Sequence, residues 1–188
     1  MKHRVVEELD GVVTLIAAIW VMFAVDWLLP VELTNFGLIP RTLRGLIGIV
    51  SMPFLHADFA HLFGNTIPLL ILLGLLAGSK ANSYAVVPQL IVSGGLLLWV
   101  FGRTSCHVGA SGLVYGLIAF LIVSGLRERR PLAIAISLFV GVTYGVTLFS
   151  GVLPTVGAGI SWDGHLAGAV AGGASAWFGV DGDNRTGV

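Results

Sequence analysis

The chain has 188 residues, of which 56% are hydrophobic and only 11% are charged, and its mean hydropathy is +0.94. Soluble domains carry roughly 25% charged residues, so this composition excludes an ordinary water-soluble domain and indicates an integral membrane protein. The formal net charge is zero and no basic run occurs, which argues against a nucleic-acid partner. The single cysteine, Cys106, excludes a disulfide within the chain.

Several apolar stretches are predicted to cross the membrane, because about 20 apolar residues span a hydrocarbon core roughly 30 Å thick. The first ends at Pro30, and its length favours a retained span over a cleaved signal peptide. The predicted fold is therefore all-α, a polytopic membrane protein built as a bundle of six transmembrane helices. The six predicted spans run over residues 11–29, 61–76, 84–101, 111–125, 131–148 and 165–178.

The chain is predicted to form one membrane domain over residues 11–178, flanked by short segments. Residues 1–10 precede it as a cytoplasmic segment, and the polar, glycine-rich residues 179–188 follow it as a tail. The connection over residues 31–60 is too short in apolar length to span, so we expect it to lie in the outer membrane interface. Loops of this length are usually functional or disordered.

The distribution of lysine and arginine predicts the orientation. Six spans place both termini on one side, and an excess of basic residues marks the cytoplasmic side. The count therefore predicts cytoplasmic termini in a multi-pass protein of the plasma membrane. Seven basic residues fall on the side of the termini, Lys2, Arg4, Lys80, Arg127, Arg129, Arg130 and Arg185, and three fall on the opposite side, Arg41, Arg44 and Arg103.

Polar residues inside the spans are the candidates for function, because such groups are costly in lipid. The second span opens with His61 and Asn65, which lie on one helix face because they are four residues apart. The fourth opens with Ser111, followed four residues later by Tyr115, and the sixth opens with His165. Spans two, four and six all begin at the outer side, so these residues are expected at one depth.

A serine and a histidine at matching depth indicate nucleophilic catalysis, because serine needs an adjacent base. Both spans carry glycines at a four-residue spacing beside these residues, and small residues of this kind allow close helix packing. Acyl transfer also needs hydrogen-bond donors for the oxyanion. Backbone N–H groups around Ser111, together with His61 and Asn65, are predicted to supply them. The glycines are Gly112 and Gly116 in the fourth span and Gly164, Gly168 and Gly172 in the sixth.

Three motifs in this order resemble the rhomboid intramembrane serine proteases. GASG at Gly109–Gly112 is similar to their GxSG serine motif, HLFGN at His61–Asn65 to their HxxxN motif, and HLAGAVAG at His165–Gly172 to their HxxGxxxG motif. The resemblance implies a six-helix bundle with a Ser111/His165 dyad that cleaves transmembrane segments of protein substrates in contact with membrane lipid. It also implies no metal and no cofactor. Many rhomboids carry a Trp-Arg pair in the first outer loop, where this chain has Pro40-Arg41-Thr42-Leu43-Arg44.

Structural interpretations of the same residues stay open beside the catalytic one. Ser111 is also typical of a helix-packing serine or a cap, and Tyr115 is expected to pack against the His165 ring. His56, Asp58 and His61 allow a metal-site interpretation, which the lack of an HExxH sequence disfavours.

Two further side chains receive structural interpretations. Asp163 is expected to cap the sixth helix, because residues two apart on a helix do not face each other. His107 is expected to be a solvated loop residue. Two rival functions also remain, a non-catalytic rhomboid-like protein that binds transmembrane helices and a small channel or transporter.

Overall fold

The computed structural model describes residues 2–79, 81–154 and 159–179, with side chains from Glu7 onward. In these ranges the chain is helical, and its only β-type pairing is an isolated bridge between Leu38 and His107. The all-α prediction is confirmed. The helices are α1 (Lys2–Leu28), α2 (Gly48–Ser51), α3 (Phe59–Ala77), α4 (Ser83–Phe101), α5 (Ser111–Glu128), α6 (Pro131–Gly151) and α7 (Trp162–Phe178).

The six long helices correspond in order to the six predicted spans, while α2 is a single turn in the connection after α1. Five of them, α1, α3, α4, α5 and α6, are long and apolar enough to cross a membrane. The sixth, α7, has 17 residues and packs against α4 and α5. Large apolar side chains also cover the outside of the bundle, as expected of a protein whose solvent is lipid.

Helix α5 lies at the centre of the bundle, between α3, α6 and α7. Half of its span is buried, the largest share among the five apolar helices. Leucines of α3, including Leu62, Leu69 and Leu72, form one core with Leu117 and Ile118 of α5. The first residue of this central helix is Ser111, so the position of the serine is fixed by the best-packed element of the fold.

Two helix ends differ from the sequence prediction. Helix α1 begins at Lys2, so residues 2–10 belong to the same helix as the first predicted span, and their cytoplasmic location stays a prediction. Helix α7 begins at Trp162 and is capped by Ser161, whose hydroxyl accepts a hydrogen bond from the Gly164 N–H. The prediction that Asp163 caps this helix is wrong, because its carboxylate is used by Arg103 instead.

The connection between α1 and α3 is tied to the end of α4. The Arg41 guanidinium donates to the carbonyl oxygens of Val100 and Gly102, and the Trp99 indole donates to the carbonyl of Thr42. Arg41 is thus a C-terminal cap supplied from outside the helix, which satisfies carbonyls that have no partner within it. The location of the connection over residues 31–60 in the membrane interface stays a prediction. The predicted tail beyond Gly179 lies outside the described residues.

Candidate active site

Ser111 and His165 are brought together where α5 and α7 begin. Ser111 is the first residue of α5, and His165 lies in the first turn of α7. The Oγ atom of Ser111 is 2.9 Å from the Nε2 atom of His165, which is a hydrogen-bond distance. The imidazole is buried, with 8% of its surface exposed, and Ser111 is half-buried. A serine hydroxyl and an imidazole therefore meet in a site mostly closed to solvent.

A backbone carbonyl orients the His165 ring. The Nδ1 atom of His165 lies 2.9 Å from the carbonyl oxygen of Gly151, the last residue of α6. A carbonyl oxygen only accepts, so Nδ1 carries the proton and, in the neutral ring, Nε2 is the acceptor. The Ser111 hydroxyl therefore donates to Nε2, which is the direction that general-base catalysis requires. Sequence analysis did not identify Gly151, because every residue carries a carbonyl group.

Tyr115 packs face to face on the His165 ring. The two ring centroids are 4.1 Å apart and the planes differ by 7°. The Tyr115 hydroxyl donates to the carbonyl oxygen of Thr147 in α6, at 3.0 Å. Tyr115 therefore connects all three helices of the site, since it belongs to α5, covers a residue of α7 and is anchored to α6. The predicted packing of Tyr115 against the His165 ring is confirmed.

The stacking predicts a difference between two substitutions at Tyr115. Tyr115→Phe keeps the flat ring face and should retain the reaction rate of Ser111 with a serine-directed probe within about threefold, since only the hydroxyl bond is lost. Tyr115→Leu removes that face, which lets the imidazole turn, and should slow the reaction about tenfold or more. The measurement is the labelling rate per folded molecule. Equal rates in both variants would contradict a role for the stacked ring.

The close approach of α5 and α7 depends on glycines that face carbonyl groups of the other helix. A Cβ atom added at Gly168 would overlap the carbonyl oxygen of Gly112, and one at Gly172 would overlap that of Gly116. Added at Gly112, a Cβ would lie 3.3 Å from the Gly164 oxygen. The two backbones are therefore in direct contact. This contact is what brings a side chain as short as serine within reach of the imidazole.

His61 and Asn65 of α3 lie against Gly109, two residues before Ser111. The His61 imidazole fills the space that a Cβ on Gly109 would need, and the Asn65 Nδ2 atom would be 3.6 Å from such a Cβ. Asn65 is buried and donates one hydrogen bond to the carbonyl of His61 at 3.1 Å. Its amide has a second N–H. The two side chains thus border the loop that carries Ser111, and their role as oxyanion donors stays a prediction.

Gly109 adopts a conformation that few other residues accept, with φ +107°. Its N–H donates to the carbonyl of Met52 at 2.9 Å, which ties the serine loop to the connection between α1 and α3. The next residue, Ala110, is the N-cap of α5 and has no side chain that could bond the first backbone N–H groups. Those N–H groups stay available to another acceptor.

His56 packs as a neutral ring beside His61. It is 2% exposed, its centroid is 5.0 Å from that of His61, and neither of its ring nitrogens makes a hydrogen bond within ordinary distance and angle limits. Burial, reinforced by the nearby His61, lowers the pKa of His56 to about 4, and the Phe54 carbonyl opposes this shift. Among the described residues, no three His, Cys, Asp or Glu side chains converge as they would around a metal ion.

His107 differs from its prediction. It is 3% exposed, and both ring nitrogens have partners, Ser161 Oγ at 2.7 Å and the Arg103 carbonyl at 3.1 Å. The prediction of a solvated loop histidine is therefore wrong, because the loop is covered by the start of α7. Asp163 does not approach His165 through a hydrogen bond. It accepts from the backbone N–H and the guanidinium of Arg103, at 2.7 and 3.0 Å.

The fold and the site together define a polytopic membrane protein with a paired serine and histidine between two closely packed helices. Residues 43–182 match the family model of the Rhomboid domain, and the chain belongs to the rhomboid family. It is 39% identical over 176 residues to an uncharacterized protein of Mycobacterium tuberculosis (strain H37Rv) and to one of Mycobacterium bovis. The match covers 89% of this chain and 73% of each relative. An uncharacterized protein of Mycobacterium leprae is 37% identical over 176 residues, covering 89% of this chain and 69% of the relative.

Proposed function

We propose that this rhomboid family member is an intramembrane serine endopeptidase that cleaves transmembrane segments of membrane proteins. The observation that carries the proposal is the hydrogen bond of 2.9 Å between Ser111 Oγ and His165 Nε2, in a ring whose Nδ1 is held by the Gly151 carbonyl. A nucleophile, its base and a third group that orients the base form the usual arrangement of covalent catalysis. Here a backbone carbonyl takes the place that a carboxylate has in a triad.

The proposed reaction has two stages. In the first, His165 Nε2 accepts the Ser111 hydroxyl proton while Oγ attacks the scissile carbonyl, and the imidazolium then returns that proton to the leaving amine. In the second, a water molecule gives one proton to His165 while its oxygen attacks the acyl carbon. The ester bond to Oγ then breaks, His165 returns the proton to Oγ, and the carboxylic acid product leaves. The imidazolium is stabilised throughout the first stage by its Nδ1–H bond to the Gly151 carbonyl. No metal or cofactor takes part in this scheme.

The oxyanion is proposed to bind between the start of α5 and the α3 side chains. Free backbone N–H groups at a helix start favour negative charge. His61 and Asn65, which border Gly109, would add side-chain N–H donors from the opposite side. One such donor contributes about 10²- to 10³-fold to kcat in acyl-transfer enzymes. Gly109 has no side chain on the side of His61, which allows these donors to approach the serine loop.

The substrates are proposed to be transmembrane segments that unwind near the site. A peptide bond inside a helix is shielded by its own backbone hydrogen bonds, so segments with small or helix-breaking residues should be preferred. By the distribution of basic residues the termini are proposed to be cytoplasmic, which would place Ser111 toward the outer surface of the plasma membrane. Membrane lipid is then the medium from which the substrate arrives.

The proposal predicts covalent labelling of Ser111 by a fluorophosphonate, a probe that reacts only with activated serines. The wild-type protein in detergent should be labelled, while Ser111→Ala and His165→Ala should not be labelled. Cleavage of a reporter transmembrane segment should fall on the order of 10⁴- to 10⁶-fold in both variants, because the two residues act as a unit. Circular dichroism and thermal unfolding of all three proteins serve as the control for folding.

Other outcomes favour the rival functions. If the folded wild type is not labelled and reporter segments stay intact but bound, the protein acts as a non-catalytic binder of transmembrane helices. Flux of ions or solutes through liposomes that depends on His61 or His165 would instead favour a channel or transporter. Neither rival requires Ser111 to be nucleophilic, so labelling that is lost in both variants separates the protease from them.

A further inference from the structure

A second contact joins the two segments that carry Ser111 and His165. His107 lies four residues before Ser111, and Ser161 lies four residues before His165. The His107 Nδ1 atom and the Ser161 Oγ atom are 2.7 Å apart. The serine loop and the start of α7 are therefore linked twice, once through the candidate catalytic pair and once through this outer pair, which the proposed chemistry does not use.

The proton positions of this link follow from its partners. His107 Nε2 lies 3.1 Å from the Arg103 carbonyl, which only accepts, so Nε2 carries a proton. In the neutral ring Nδ1 is then the acceptor, and the Ser161 hydroxyl donates to it. The Ser161 oxygen in turn accepts from the Gly164 N–H at 3.3 Å, as the cap of α7. The His107 ring therefore bonds to the group that starts the helix of His165.

The backbone of His107 is fixed on its other side. Its N–H donates to the Leu38 carbonyl at 2.8 Å, and its carbonyl accepts from the Leu38 N–H at 2.9 Å. Gly109 is held by Met52 in the same way, at 2.9 Å. The ring is 3% exposed, so no solvent competes for its hydrogen bonds. His107 thus has no freedom to move without carrying the serine loop with it.

Charged groups surround the link on the α7 side. Asp163 Oδ2 lies 3.8 Å from His107 Nε2, and the same carboxylate is paired with the half-exposed Arg103 guanidinium at 3.0 Å. Arg103 also lies over the Trp162 ring, 5.2 Å from its centroid. These contacts join the same two segments at the rim of the protein, while the His107 bond joins them in its buried part.

We propose that His107 is a positioning residue for the Ser111 and His165 pair. Its bond to Ser161 fixes the start of α7 against the serine loop, and so sets the distance over which the Ser111 hydroxyl reaches Nε2. The inference rests on the proposed serine protease function, since it concerns the geometry of that same site. An error of about 1 Å in the placement of reacting groups is enough to cost roughly 100-fold in rate.

The test compares His107→Phe with His107→Asn in the full chain, with the fluorophosphonate as the probe. Phenylalanine keeps a buried ring but makes no hydrogen bond, and we expect labelling about 10- to 100-fold slower per folded molecule. Asparagine places an amide oxygen near the position of Nδ1, which can accept from Ser161, and should recover the wild-type rate within about threefold. Cys106→Ser, a change at the exposed neighbouring residue, is the matched control.

A double variant assigns the effect to the link. In His107→Phe combined with Ser161→Ala, the rate should fall no further than in the slower of the two single variants, because both changes remove the same bond between His107 and Ser161, and only Ser161→Ala also removes the cap of α7. A lower melting temperature with an unchanged rate per folded molecule in His107→Phe would overturn the inference and leave a structural histidine. Failure of the wild type itself to label would overturn the proposed function, and with it this role of His107. Labelling of the wild type and all His107 variants alike overturns only the latter.

Discussion

Gly168→Leu is expected to separate α5 from α7 and to abolish labelling of Ser111. Even a single Cβ atom at this position would overlap the carbonyl oxygen of Gly112, which belongs to a helix backbone and has no rotamer to change. The helices would have to move apart, and the contact at Gly172 and Gly116 would open with them. Since α5 is the central helix, the larger side chain is expected to leave no folded protein.

Gly168→Ala is the milder form of the same test. Overpacking of a close contact costs about 1–3 kcal/mol, occasionally more, so this variant should fold with a reduced melting temperature. Its labelling rate should fall about 100-fold, because a shift of roughly 1 Å lengthens the bond between Ser111 and His165. The measurements are thermal unfolding in detergent and the rate of fluorophosphonate labelling per folded molecule.

Gly173→Ala and Gly173→Leu are the matched controls on the same helix. Within the described part of the chain, a Cβ atom at Gly173 meets nothing within 4 Å, and alanine has a higher helix propensity than glycine. Both variants should therefore fold and label like the wild type. Equal behaviour of the Gly168 and Gly173 variants would contradict direct backbone contact between α5 and α7 as the origin of the site geometry.

The sequence predicted the helices and the pairing of the site because both depend on local patterns. Hydropathy locates spans, and the small residues at a four-residue spacing indicate which helix faces approach each other. Ser111 and His165 each open a predicted span, so their common depth follows from topology, and Tyr115 lies one helical turn after Ser111 on the same face. His61 and Asn65 follow from the same argument. The structure brings these side chains to the start of α5, and their chemical roles stay proposals.

The sequence analysis missed two kinds of contact. One is made by backbone groups, which no residue type marks, and the other is made between residues far apart in the chain. The Gly151 carbonyl orients His165, yet a carbonyl group is present at every position of the chain. At the start of α7, both Ser161 and Asp163 are residue types that cap helices. Ser161 is the cap because the Asp163 carboxylate instead accepts hydrogen bonds from Arg103, about 60 residues away. Both the backbone N–H and the guanidinium of Arg103 donate to it.

The burial of His107 was missed for the same reason, because its partners are distant in sequence. Its neighbours in the chain, Arg103 to Cys106, are polar or exposed, so a window of sequence around it predicts a solvated loop. The ring is buried because Leu38 pairs with its backbone and Ser161 meets its side chain. Neither partner is close in sequence. The local sequence around a polar loop residue therefore does not reveal whether distant partners bury it. A polar residue close to a candidate nucleophile should be considered as part of a buried hydrogen-bond network.

Gly109→Ala is expected to impair the site while leaving the bundle folded. The substitution introduces two separate difficulties, a side chain at φ +107° and a Cβ atom in the space of the His61 ring. The backbone strain alone costs about 1–3 kcal/mol. The displaced imidazole would no longer border the serine loop, so the labelling rate and reporter cleavage should fall about 10²- to 10³-fold, as for loss of an oxyanion donor.

Gly159→Ala separates the two causes, because Gly159 also has a positive φ, +97°, but a Cβ atom there meets no atom of the described residues within 4 Å. It should therefore lower the melting temperature by a similar amount and leave the labelling rate unchanged. His61→Ala in the Gly109→Ala background tests the contact itself, since removal of the ring relieves the overlap and should add little further loss. If Gly109→Ala and Gly159→Ala reduce the rate equally, strain alone acts on the site and the proposed oxyanion role of His61 loses its support.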